Sequence, residues 1–211
     1  TDHAMKRMAL SLFLGLLGAA GYASAQEDPL DTALLGGEVV LYEARSDESG
    51  GAARARMLVH ASAEAIWNVI ISCESAFIYV KGLEHCEVLE DSGGRGLVRQ
   101  VVDPSWIVPK MDYVFESLRD PYREIRFQRI SGDLDVLEGY WIFTPVPEGL
   151  LVDYEARVKP SIPAPRWLVR YTVKRSMPDL LACIRFLSRG SGSSGQEKSD
   201  RERCPKQGRA Q

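Results

Sequence analysis

The sequence predicts an α+β fold: a curved antiparallel sheet of about seven strands wrapped around one long C-terminal helix, with two short helices. Three observations lead there. Segment 150–158 alternates cleanly, with Leu150, Val152, Tyr154, Ala156 and Val158 on one face and Leu151, Asp153, Glu155 and Arg157 on the other. Period-two alternation describes a sheet with one buried and one wet face. A strand-like run, 131–144, precedes it (SGDLDVLEGYWIFT), and a Pro-rich link then opens an amphipathic helix over 165–189. A helix closing the apolar face of such a sheet leaves a concavity between them, filled by side chains or by a ligand.

The elements follow in order. Segment 38–45 (EVVLYEAR) is a strand, and 46–51 (SDESGG) is a turn built of residues that accept tight backbone geometry. Segment 53–61 returns as a strand, with Ala53, Ala55, Met57 and Val59 facing one way. Ser62 is the N-cap of a helix carrying Ile66, Trp67, Ile70 and Ile71, and Glu64 in its first turn complements the helix dipole. Cys73 ends this helix, and a second short helix covers 76–80 before Gly82. Strands over 86–90, 97–102, 111–118 and 124–130 are separated by turns at 92–94 and 120–121. The Pro-flanked loop 103–109, containing Trp106, is long enough to close over a pocket mouth. The terminal helix starts at Pro165, where a missing N–H is harmless, and stops at Gly190. Trp167, Leu168, Tyr171, Met177, Leu180, Leu181, Ile184 and Leu187 form its apolar stripe, and Pro178 kinks it without dividing it.

The two ends read differently. Met5, Lys6 and Arg7, an apolar run over 8–20 and Ala23-Ser24-Ala25 follow the order of a cleavable secretory signal. Segment 1–25 is therefore expected to be removed on export to the periplasm or the exterior, leaving Gln26 first; 26–37 is a linker and 38–189 the folded domain. Segment 190–211 has no aromatic residue and no Ile, Leu, Val or Met, so it is expected to be a disordered, mildly basic tail. Four cysteines in an exported chain invite disulfides. Cys73 and Cys86 lie close enough in sequence to meet across a short loop, or else are ordinary buried thiols; Cys183 falls in the terminal helix and Cys204 in the tail.

The order GDL, EG and W, then IPAPRWLV and RSMPDLLACIR, resembles the START-like, polyketide cyclase/dehydrase superfamily. Within it the chain is most similar to the branch named for coenzyme Q-binding START domains. ASAEAIWNVI and PSWIVPKMDYV add to a likeness spanning 57–189. The resemblance implies a helix-grip fold around an apolar pocket, in a family whose members bind or transfer lipids, sterols or quinones, with a minority that catalyse.

The residues themselves speak for binding over catalysis. No GxSxG, HExxH or P-loop occurs, and the mature chain's only histidines are His60 and His85. No nucleophile–base pair, metal site or cofactor is expected. A net charge of −3 gives no basis for nucleic-acid binding. Asp153 and Glu155 belong to a solvated face, and Glu138 is either a buried handle or an edge charge. Candidate ligand-binding residues are Trp67, Trp106, Trp141, Tyr154, Trp167, Tyr171 and Arg175. Trp141, Tyr171 and Arg175 are placed on the pocket wall and Trp106 at its mouth, with Gly139 leaving room beside the Trp141 ring. The expected partner is an apolar small molecule or lipid, met by a monomer with a transient membrane-surface contact. The alternatives are a cyclase or dehydratase acting on a polyketide-like substrate, and an interaction module with a filled core.

Overall fold

A computed structural model describes residues 29–47, 50–103, 109–161, 165–189 and 195–205. In chain order the elements are α1 (Pro29–Leu35), β1 (Val40–Asp47), β2 (Gly50–Val59), α2 (Ala63–Ile71), α3 (Cys73–Tyr79), β3 (Leu83–Asp91) and β4 (Arg95–Val102). Then come β5 (Met111–Asp120), β6 (Glu124–Gly132), β7 (Leu134–Val146), β8 (Gly149–Pro160), α4 (Arg166–Ser188) and α5 (Gly195–Arg203). All neighbouring strands are antiparallel, in the order β1-β2-β8-β7-β6-β5-β4-β3. The fold is the α+β helix-grip arrangement, with eight strands where about seven were expected.

Strands β3 to β8 form a meander, and the first hairpin joins it by pairing β2 with β8, placing Met57 opposite Val152. That register sets the inward faces side by side, so Ala53, Ala55, Met57 and Val59 are buried with Val152. Two helices fill the β2–β3 connection. Ser62 caps α2 by accepting from the Ala65 N–H at 3.1 Å, and Ser72 caps α3 by accepting from the Ser75 N–H at 3.1 Å. Cys73 thus begins the second helix and does not end the first. Met177, Leu181 and Ile184 of α4 complete the core.

Both expected irregular segments need correction. The linker contains α1, which buries Leu34, and Gly37 at φ +84° turns the chain towards β1. The tail contains α5, anchored by means that a count of apolar residues does not see. Cys204 is bonded to Cys183 of α4, and Asp200, fully buried, takes two 2.7 Å hydrogen bonds from the Arg185 guanidinium. Gln196 donates to the same carboxylate at 3.0 Å and packs against Gly37, linking α5 to the end of α1. A covalent cross-link and a bidentate ion pair here replace apolar burial as the source of order.

Candidate functional site

Between the sheet and the helices lies a cavity of about 220 Å³. Strand register builds its floor. Arg119, Ile125, Trp141 and Tyr154 stand opposite one another across β5, β6, β7 and β8, and Cys86, Gln100 and Tyr113 do so across β3, β4 and β5. The roof is Ile70 and Ile71 from α2, Ala76 and Tyr79 from α3, and Leu180 from α4. Cys73 and Cys86 are joined in the structure, with Cα atoms 5.5 Å apart, and both touch the cavity. Their bond ties α3 to β3 and so holds roof to wall.

Aromatic packing positions the floor. Trp141 and Tyr154 stack with ring centroids 3.9 Å apart, and Phe127 flanks Tyr154 at 6.3 Å. At Gly139 a Cβ would meet the Glu155 carbonyl of β8 first and then the Phe127 ring, so the space the glycine leaves is filled by the protein.

The polar groups on this lining divide into paired and unpaired. Arg119, its side chain only 4% exposed, donates to Ser117 Oγ at 3.0 Å and forms an ion pair with Asp91 at 2.9 Å. Its guanidinium passes over Gly96, where a Cβ would meet Nη2 at 2.0 Å, so the glycine is the condition for this buried cation. The Gly93 N–H and then Arg119 hold the Asp91 carboxyl below the usual aspartate range. The Tyr113 hydroxyl donates to Gln100 Oε1 at 3.0 Å, and the Tyr79 hydroxyl to the Ile70 carbonyl at 2.9 Å. Burial pushes Tyr79, Tyr113 and Tyr154 well above the ordinary phenol value, and for Tyr79 and Tyr154 the neighbouring phenols add to the effect. Tyr154 is partly buried and lines the cavity. Among the described residues its hydroxyl has no hydrogen-bond partner.

Of the residues expected at the site, Trp141 and Tyr154 line the cavity. Trp67 does not: it is buried in the core against Tyr122 and Phe143, at 5.6 and 6.0 Å. Trp167 (68% exposed), Tyr171 (59%) and Arg175 also stand away from the wall. The described side chains between Pro165 and Ser176 are all exposed, while burial on α4 begins at Met177. On a wheel of about 100° per residue Trp167 lies within about 40° of buried Leu181, so azimuth does not explain its exposure. Trp106 lies outside the described residues. Asp153 and Glu155 pair with Arg56 and Arg54, at 2.7 and 3.0 Å, on the outer face, and Glu138 is an outer charge paired with Arg157. Among the described residues no cluster of His, Cys, Asp and Glu suits a metal, and no helix is long and apolar enough to cross a membrane.

The cavity residues missed from sequence are Tyr79, Gln100, Tyr113, Ser117 and Arg119. A signal for three of them was present: Tyr113, Phe115, Ser117 and Arg119 alternate along β5, putting polar groups on the face that Phe115 marks as inward.

Comparison with known proteins adds one family and three solved structures. Residues 59–185 match the family model described as polyketide cyclase/dehydrase and lipid transport. Protein TTHA0849 from Thermus thermophilus is 26% identical with a TM-score of 0.51, over 72% of this chain and 95% of that one. A STAR-related lipid transfer protein from Xanthomonas axonopodis superposes with a TM-score of 0.61 at 16% identity, covering 72% of this chain and 99% of that one. The Zhui aromatase/cyclase from Streptomyces sp. R1128 gives a TM-score of 0.52 at 19% identity, over 68% and 98% of the two chains. Comparison with curated protein sequences found no match.

Proposed function

Because the chain belongs to the polyketide cyclase/dehydrase and lipid transport family, we propose that it binds and carries an apolar small molecule, chemically unchanged, in the cavity between sheet and helices. One observation carries this. The cavity is mostly apolar, and its described lining contains no Asp, Glu or His to act as a base. An open cavity also speaks against a filled-core interaction module.

A cyclase or dehydratase is the second candidate, favoured by the inward phenols of Tyr79, Tyr113 and Tyr154. Their raised pKa values make them weaker acids than free phenol, and no base stands opposite them, so they serve better as neutral hydrogen-bond donors. A quinone, the ligand for which the coenzyme Q-binding branch is named, fits the same reading, being both apolar and acceptor-bearing.

The proposal includes export. Supporting it are the signal-like segment 1–25 and the pairing of all four cysteines, an arrangement that persists in oxidising compartments. It also includes a transient contact with anionic membrane. Trp167, Arg170, Tyr171, Lys174 and Arg175 are exposed, and 166–177 contains no acidic residue. Substituting Trp167→Ala together with Tyr171→Ala is expected to reduce co-sedimentation with phosphatidylglycerol vesicles, and unchanged sedimentation would remove this contact from the proposal.

Native mass spectrometry of protein purified from its own cell envelope tests the carrier. The expected result is a co-purifying apolar molecule released intact on denaturation. Recovery of a product differing from the loaded compound would establish an enzyme instead.

A further inference from the structure

Taking the cavity as a ligand site, we infer that its occupant is an uncharged molecule with a carbonyl-type oxygen, held by a hydrogen bond from the Tyr154 hydroxyl. Every other polar group described on the lining has a partner in the protein. Tyr113 donates to Gln100, Tyr79 to the Ile70 carbonyl, and Arg119 to Ser117 and Asp91. Even the Gln100 amide leans on Cys86 Sγ, at 3.8 Å. Of the three phenols on the lining, Tyr154 is the one whose hydroxyl donates to nothing among the described residues. A donor on the wall of a mostly apolar cavity, with no partner in the protein, is available to a ligand's acceptor.

The ring is fixed well enough to act as a selector. Trp141 stacks on it with 3.9 Å between centroids and Phe127 flanks it, so the hydroxyl projects from a clamped plane. A ligand oxygen is thereby met at a defined depth, while the rest of the molecule lies against Ile70, Ala76, Ile125 and Leu180.

The lining's charge excludes a carboxylate or phosphate head. Arg119 is the one cation on the described lining, and its charge is already balanced by Asp91 at 2.9 Å. An anion entering would be a second negative charge in a mostly apolar site, without a counter-ion of its own on the described lining. A neutral ketone, quinone or ester needs only the donor that Tyr154 supplies.

Three probes of similar size separate the possibilities on the full-length mature protein: 1-acetonaphthone, 1-ethylnaphthalene and 1-naphthoate, titrated by calorimetry. The ketone is expected to bind about fivefold to tenfold more tightly than the hydrocarbon, the range of one hydrogen bond, with naphthoate weakest. Tyr154→Phe keeps the stacked ring and is expected to erase the ketone's advantage, weakening the ketone and binding ethylnaphthalene at least as tightly as the wild type does. The carbonyl stretch of bound ketone should sit at lower wavenumber in the wild type than in Tyr154→Phe. Equal binding of ketone and hydrocarbon, or a ketone advantage that survives Tyr154→Phe, overturns the head-group assignment and leaves the apolar site standing. Naphthoate binding as tightly as the ketone overturns neutrality. If none of the three binds, the cavity is not a ligand site, and the carrier proposal falls with the assignment.

Discussion

Removing the Asp200 carboxylate tests how α5 is held. Both members of the Arg185–Asp200 pair are about 1% exposed, joined by two 2.7 Å hydrogen bonds. Gln196 donates to the same carboxylate at 3.0 Å, and Arg185 Nη1 reaches the Leu58 carbonyl at 3.5 Å. Asp200→Ala leaves the guanidinium enclosed with one long hydrogen bond to a neutral acceptor and Arg189 nearby. The cost of stranding such a charge is about 3–5 kcal/mol, a large share of a domain's stability. The Cys183–Cys204 bond keeps α5 tethered, so the loss reflects the buried charge more than release of the segment. Urea denaturation of oxidised protein, followed by tryptophan fluorescence, measures it. The double variant Arg185→Met with Asp200→Leu should recover most of the loss, because two apolar groups need no counter-charge. A loss below about 1 kcal/mol for Asp200→Ala would refute the argument, showing that α5 separates from α4 at little cost.

Three other perturbations follow. Gly96→Ala sets a Cβ against the Arg119 guanidinium and Ser117 Oγ, and is expected to cost about 1–3 kcal/mol in chemical denaturation and to weaken the Asp91 pair. Arg175→Ala is expected to leave binding of a neutral apolar probe unchanged, because Arg175 is exposed and off the cavity wall; a severalfold loss in calorimetry would restore it to the site. Asp91, whose folded pKa is depressed, contributes stability that is complete above its ordinary value near 3.8 and is lost as pH falls through the lower folded value. An NMR titration should give it a midpoint below that of an aspartate in the unfolded chain, and Arg119→Gln should move the midpoint upward.

Much of this was legible in the sequence, for reasons that can be located. The alternation of β8 put Tyr154 on the buried face because pleating makes side-chain direction a function of parity alone. Trp141 followed by the same parity on β7. The terminal helix was legible as a helix, but a stripe states only which way a side chain points, not how far the core extends beneath it. Met177, Leu181 and Ile184 are buried, whereas Trp167 and Tyr171 of the same stripe are exposed. The order of α5 was illegible because its anchors are pairwise. Asp200 gains meaning only beside Arg185, fifteen residues earlier, and Cys204 only beside Cys183. Arg119 went unremarked in the sequence because the Gly96 that leaves room for its guanidinium lies on a neighbouring strand, and only register brings the two together.

The polar groups of the cavity sort by what each lacks. Arg119, Tyr113 and Tyr79 are each answered within the protein, by Asp91 and Ser117, by Gln100 and by the Ile70 carbonyl. Answered groups contribute shape and rigidity, since each bond fixes a side chain that would otherwise move into the space. Tyr154 is held as firmly by Trp141 but keeps an unspent donor. A scaffold of satisfied polar groups around one unsatisfied donor can discriminate among apolar molecules that size alone would admit equally. A molecule lacking the acceptor leaves the hydroxyl covered by apolar surface and unpaired, and one carrying a full charge meets no free cation on the described lining. Selectivity in this cavity therefore comes less from the number of polar residues than from which single one the fold leaves without a partner.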